Sequence, residues 1–99
     1  MQSHAKIVIV GGGIMGTGLL YHLAEEGCTD VLLIEKAELT SGSTWHAAGQ
    51  CPNFVGDYNL AKINAYGNRL YPTLEAKTGQ YVSWHAPGSL RLARSQADL

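Results

Sequence analysis

The stretch Ile7-Val8-Ile9-Val10-Gly11-Gly12-Gly13-Ile14-Met15-Gly16 decides how this chain is read. Four apolar residues suited to a buried strand run directly into G-x-G-x-x-G, and a helical pattern follows. In that setting Gly11 allows a tight turn off the strand, Gly13 lets backbone approach a pyrophosphate, and Gly16 lets the helix pack close to the strand. Ile14 and Met15 then open the helix, where unpaired N–H groups and the positive end of the helix dipole favour an anion by about 0.3–1 kcal/mol per charge near the surface. The stretch predicts a dinucleotide site. Taken without context, three adjacent glycines also fit a flexible loop.

Context narrows the reading. Lys6 to Val10 is the first predicted strand and Ile14 to Glu26 the first helix, with Ile14, Met15, Leu19 and Leu23 at helical spacing on its expected apolar face. Gly27 lies where a terminal glycine belongs. Val31-Leu32-Leu33-Ile34 is an unbroken apolar run, as in a parallel strand covered on both sides, and it ends in Glu35. Glu35 follows the glycines at about the 20-residue distance at which this fingerprint places an acid on the ribose hydroxyls. The alternative is an ordinary solvated carboxylate at a strand end. An acid here disfavours a 2′-phosphate, so NADP is the least suitable dinucleotide.

The 99 residues carry 7 basic and 8 acidic side chains without a run of either sign, a net charge of −1, which gives no footing for nucleic acid or a membrane surface. Cys28 and Cys51 are too few for a disulfide scaffold and lack the spacing of a zinc site, so no metal is expected; two free thiols suit a reducing compartment. Met1 to Lys6 is too short for a signal peptide, and no apolar run reaches the length of a membrane span. A dinucleotide fold needs about five or six strands. Two parallel strands before the pattern changes therefore suggest a chain truncated after Leu99, while Met1, only a few residues before the first strand, suggests a natural start.

Lys36 to Tyr58 has no clear period and is longer than most connections in a compact domain. Asn59 is the expected cap of a second helix bearing Leu60, Ile63, Tyr66, Leu70 and Leu74, with Gly79 after its end; Pro72 predicts a kink or a restart near Leu70. From Tyr81 the period shifts to two. Tyr81 to Trp84 and Ser89 to Ala93, with Pro87 and Gly88 between them, predict a β-hairpin. The expected division is residues 1–58 as the start of a cofactor domain and 59–99 as the helix and hairpin of a second, substrate-side layer.

Within the long connection, Gly42-Ser43-Thr44-Trp45-His46-Ala47-Ala48-Gly49-Gln50 surrounds one Trp and one His with small residues. Its hydroxyls and bare backbone suit a segment lying along a diphosphate or a flat ring. His46 alone also fits a solvated or structurally bonded imidazole.

Gly11 to Gly16, Glu35-Lys36 and above all Ser43-Thr44-Trp45-His46-Ala47-Ala48-Gly49 resemble the N-terminal part of the dimethylglycine and sarcosine dehydrogenase family. Those are flavoproteins with a D-amino-acid-oxidase-like fold, whose Rossmann-like βαβ start binds FAD. Arg69-Leu70-Tyr71, Leu74-Glu75, Thr78-Gly79-Gln80 and Pro87-Gly88-Ser89-Leu90-Arg91-Leu92-Ala93 extend the likeness over nearly the whole chain. The resemblance implies an α/β fold and FAD, held covalently through the histidine at the position of His46 and the flavin 8α-methyl carbon. It implies hydride transfer from an N-methylated glycine derivative to FAD, an electron acceptor such as a flavoprotein or oxygen, and tetrahydrofolate in a C-terminal part beyond Leu99.

Arg69 and Arg91 are the candidate cations for a substrate carboxylate, with a surface role for each as the equal alternative; no catalytic residue is assigned, and Cys51 and Tyr58 follow the loop closely enough to approach the ring. His22, Trp84 and His85 read as packing or surface residues. Three other readings stand beside this one: an amino-acid oxidase with non-covalent FAD, a non-catalytic regulatory relative, and a nicotinamide-binding module. Bacterial cytoplasm is the expected location, with the mitochondrial matrix as the alternative.

Overall fold

A computed structural model of the chain describes residues 3–98, so Met1 and Leu99, on which the expectation about the two ends rests, lie outside the described residues. The chain divides into two compact units, residues 1–49 and 50–99.

In the first unit, strand β1 (Ile7–Val10), helix α1 (Ile14–Glu25) and strand β2 (Val31–Ile34) form the predicted βαβ unit. The strands pair in parallel, with Ile7 opposite Val31 and Val10 opposite Ile34. Bonds from Ile7 N to Asp30 O (3.2 Å) and from Gly11 N to Ile34 O (2.8 Å) carry the ladder past both ends. Helix α1 stops where the sequence places it: Gly27 N donates to Ala24 O and Cys28 N to Leu23 O, the paired bonds that satisfy the last carbonyls of a helix.

The core of this unit is narrow. Ile9 is the buried apolar side chain, at 6 % exposure. Val8 and Val10 point away from Ile9 by the two-residue period of a strand and are largely exposed, as is Ile34. The expectation that β2 is covered on both sides is therefore corrected: within the described unit one crossover helix covers one face. The expected apolar face of α1 also changes, since Ile14, Met15 and Leu19 are half or more exposed. Leu20 and Leu23 are the better-covered residues, in register with Gly16, whose approach to the strand fixes which side of the helix turns inward.

That approach is close. A Cβ built on Gly16 would lie 1.9 Å from the Gly11 carbonyl oxygen and 3.4 Å from Ile9 Cγ2, so no larger residue fits without moving the turn. Gly11 itself has φ +109°, a conformation that a side chain would strain.

In the second unit, helix α2 (Tyr58–Thr78) is capped by Asp57, whose Oδ1 accepts from Leu60 N at 2.9 Å. Asn59, the expected cap, already lies inside the helix; both residues have capping side chains, and only the backbone at Asp57 is extended as a cap requires. The helix ends at Gly79 as predicted and runs unbroken through Pro72, so the restart near Leu70 does not occur. Proline removes the one N–H that would serve the Asn68 carbonyl, and the rest of the ladder holds. Leu60, Ile63 and Tyr66 are largely exposed rather than packed.

The predicted hairpin is also absent: Tyr81 to Arg94 contains no strand, and Ser83 has φ +52°, which breaks the extended run. A lone two-stranded hairpin is marginal without a further sheet or helix to pack on. A short 3-10 turn at Gln96–Asp98 ends the described chain.

Replacing Gly16 by alanine is expected to destabilise the protein by about 1–3 kcal/mol through overpacking, read as a lower urea midpoint; an unchanged midpoint would mean that Gly16 does not set the helix–strand distance.

Candidate functional site

The glycine turn, the end of β2 and the long connection meet in the first unit. At their junction an open cleft of about 350 Å³ is lined by Val10, Gly11, Gly13, Ile14, Met15, Gly16, Ser43, Thr44 and Ala47. Its volume is within the range of small-molecule sites. Its residues come from the glycine turn and the Ser43–Ala47 segment, two stretches that the sequence separates.

Glu35 stands at one side of the turn. Its Oε2 accepts from Gly12 N at 2.7 Å and its Oε1 from Ala37 N at 2.9 Å. These bonds, the one from Gly12 first, hold the carboxyl below its ordinary pKa; Lys36 adds to the lowering and partial loss of surrounding water opposes it. A carboxylate has about four acceptor positions. Glu35 therefore keeps capacity for hydroxyl donors while it fixes the turn.

The N-terminus of α1 has three N–H groups before the ladder begins, because Thr17 N, at 3.0 Å from Gly13 O, makes the first in-helix bond. Gly13 has no side chain to cap them. Thr44 supplies the cap from the connection, its Oγ1 accepting from Ile14 N at 2.9 Å. Met15 and Gly16 keep first-turn N–H groups on the cleft, where the helix dipole favours an anion.

The connection is not irregular. Thr40 N donates to Gly12 O at 2.9 Å, and Trp45 N returns to Thr40 O at 3.0 Å. Two tight turns come next, His46 N to Ser43 O at 3.1 Å and Ala47 N to Thr44 O at 3.3 Å. Gly42 and Gly49 bound this turning segment, in which Ala47 and Ala48 are exposed. The His46 ring is bound too, with Nδ1 2.9 Å from Gly42 O. A carbonyl can only accept, so in the neutral ring this bond places the proton on Nδ1 and leaves Nε2 as the lone-pair nitrogen. Trp45 and His46 are exposed.

Most residues singled out from sequence thus lie in one place: Gly11, Gly13, Ile14, Met15 and Gly16 line the cleft, Glu35 braces it, and Ser43, Thr44 and Ala47 close one side. Lys36 is exposed beside Glu35, and Gln50 opens the second unit.

Cys51, Tyr58, Arg69 and Arg91 also belong to that second unit. Arg91 is engaged there: Nη2 donates to Phe54 O at 2.7 Å and the guanidinium lies 4.5 Å from the Phe54 ring centre. Lys62 Nζ lies 4.6 Å over the Tyr58 ring. Trp84 packs on Tyr71 at 5.8 Å between ring centres, and His22 Nδ1 bonds Gly18 O at 2.7 Å, so both have structural partners. Sequence reasoning missed the cap role of Thr44 and the bracing bond to Gly12; the first joins residues far apart in the chain and has no local spacing signal.

The description "FAD dependent oxidoreductase" belongs to the family model that matches residues 6–99. Dimethylglycine dehydrogenase of Rattus norvegicus, a mitochondrial protein, is 53% identical over 92 residues, covering 93% of this chain and 11% of that protein. The 4-methylaminobutanoate oxidase (formaldehyde-forming) of Paenarthrobacter nicotinovorans is 41% identical over 95 residues, 96% of this chain and 12% of that protein. Mitochondrial sarcosine dehydrogenase of Homo sapiens is 35% identical over 100 residues, spanning 100% of this chain and 11% of that protein. The chain thus spans about a tenth of the length of these relatives.

The lowered pKa of Glu35 sets a pH dependence. Ionised Glu35 contributes stability that is complete above the unfolded carboxylate range and is lost as pH falls through the folded pKa. Urea midpoints of wild type and Glu35→Gln should differ most near neutrality and converge as pH falls below the ordinary carboxylate range. A difference constant over that range would contradict the bonding seen at Gly12.

Proposed function

Because the chain belongs to the family of FAD-dependent oxidoreductases, we propose that the protein oxidises N-methylated glycine derivatives, dimethylglycine or sarcosine, with FAD tethered through His46. The observation that carries this reading is the shared cleft, where the glycine turn braced by Glu35 meets the His46-bearing segment at Thr44. The names of three relatives, dimethylglycine dehydrogenase, 4-methylaminobutanoate oxidase and sarcosine dehydrogenase, support an N-methylated amino acid as the substrate class.

The residues present fit the cofactor. Gly11 and Gly16 line the cleft without side chains, and Gly16 lets the helix start sit directly against the turn; the Met15 and Gly16 N–H groups suit a pyrophosphate, and Glu35 suits ribose hydroxyls. FAD, when bound, supplies the acceptor for a hydride from the N-methyl carbon. Small residues from Gly42 to Gln50 let backbone run close to a flat ring. His46 contributes Nε2 as the nucleophile toward the 8α-methyl carbon, while its bond to Gly42 O orients the imidazole. Such a bond would form at the expense of one methyl hydrogen and one imidazole hydrogen, with dioxygen as the two-electron acceptor.

Residues 1–58 then form the start of the FAD domain and 59–99 the start of the substrate side. A flavoprotein or oxygen would take up the substrate's electrons, and the one-carbon product would leave as formaldehyde or be captured by tetrahydrofolate. The mitochondrial names of the rat and human relatives support the matrix as the compartment over the bacterial cytoplasm. Among the described residues no helix is long and apolar enough to cross a membrane.

Full-length protein denatured in acid and separated on a gel is expected to show flavin fluorescence on its band, and His46→Ala is expected to show none. Dimethylglycine or sarcosine should bleach the wild-type flavin without air. Flavin released from wild type would favour the non-covalent oxidase, and absence of flavin would favour the regulatory relative.

A further inference from the structure

We infer that Thr44 is a positioning residue for the tether: by capping α1 from outside, it sets the place of His46 against the glycine turn. This rests on the reading of His46 given above. A helix start normally draws its cap from the residue just before it, and here that residue is Gly13, which has no side chain. Thr44 Oγ1 takes the Ile14 N–H instead, at 2.9 Å. Thr44 is half-buried, whereas Ser43, Trp45, His46 and Ala47 on either side of it are exposed. It is the anchored member of the segment.

Gly13 shares in this contact. A Cβ there would lie 3.0 Å from Thr44 Oγ1, tighter than an ordinary contact, so a side chain at this position would push the segment back by a few tenths of an ångström.

His46 lies two residues after the anchor and is held at both ends. Its own N–H bonds Ser43 O at 3.1 Å, and its ring Nδ1 lies 2.9 Å from Gly42 O. These are short-range bonds inside the segment, and they fix the imidazole relative to Thr44. The bonds from Thr44 Oγ1 to Ile14 N and from Thr40 N to Gly12 O fix the segment relative to the turn. Loss of the Thr44 anchor leaves the bond from Thr40 N to Gly12 O as the hydrogen bond that ties the segment to the turn among the described residues. A misplacement of about 1 Å between reacting groups can cost on the order of 100-fold in rate.

The test uses full-length protein made without flavin, mixed with FAD in air and quenched in acid at intervals, with protein-bound fluorescence measured at each. Thr44→Val, which keeps the shape and loses the acceptor, is expected to tether flavin about 10–100-fold more slowly. Thr44→Ser restores the acceptor and should tether at close to the wild-type rate. Non-covalent FAD affinity, measured with and without Thr44→Val in a His46→Ala background, should change much less than the tethering rate.

Wild-type tethering in Thr44→Val would overturn the role of Thr44 while leaving the tether intact. A fall in FAD affinity as large as the fall in rate, or failure of serine to rescue, would overturn it as well. If Thr44→Val does not fold, Thr44→Ala compared with Thr44→Ser decides on the same readouts. Tethering in His46→Ala, or none in wild type, would overturn both this inference and the reading on which it rests.

Discussion

The bond from Gly12 N to Glu35 Oε2 continues the sheet after its backbone ladder has ended. Gly11 N still reaches a backbone oxygen, that of Ile34 at 2.8 Å, and one residue later the partner becomes a side chain, at 2.7 Å. An ionised acceptor makes this last rung stronger than a neutral amide pair. Strand register, the shape of the glycine turn and the place of the acidic group are therefore one constraint. Moving β2 by a single residue would take the carboxylate away from the turn and also turn its side chains to the other face.

The same peptide region holds the long connection. Gly12 donates through its N–H to Glu35 and accepts through its carbonyl from Thr40, so both edges of one buried residue are occupied by groups C-terminal to β2. Thr40 has φ +65°, a costly conformation for a β-branched residue, on the order of 1–3 kcal/mol. Its N–H and its carbonyl are both bonded, to Gly12 O and from Trp45 N. The strained residue turns the chain back over the cleft instead of letting it continue away from the strand. Thr44 and the tight turns after it depend on that reversal.

Local pattern made the βαβ unit legible. Apolar runs located β1 and β2, helical spacing and Gly27 bounded α1, and the distance from Gly16 to Glu35 identified the acidic end. Where competing signals lay close together, the reading slipped: Asp57 and Asn59 can both cap, and backbone conformation alone separates them. Tyr81 to Ala93 has the alternation and turn residues of a hairpin, but pairing needs a surface to pack on, which alternation does not supply. The reach of Thr44 to Ile14 was invisible for a different reason. No periodicity connects a loop hydroxyl to a helix start so far away, and the bare Gly13 signals a missing cap without saying what replaces it.

We propose that the braced glycine turn is a dinucleotide site selective for an unphosphorylated ribose. Calorimetric titration of flavin-free, full-length His46→Ala protein with ADP and with 2′-phospho-ADP tests it most directly, because neither ligand carries a flavin ring. ADP is expected to bind, and the 2′-phosphate to weaken binding at least about tenfold, the effect of a second anion placed on Glu35. Equal affinity for the two, or no binding of ADP, would contradict it.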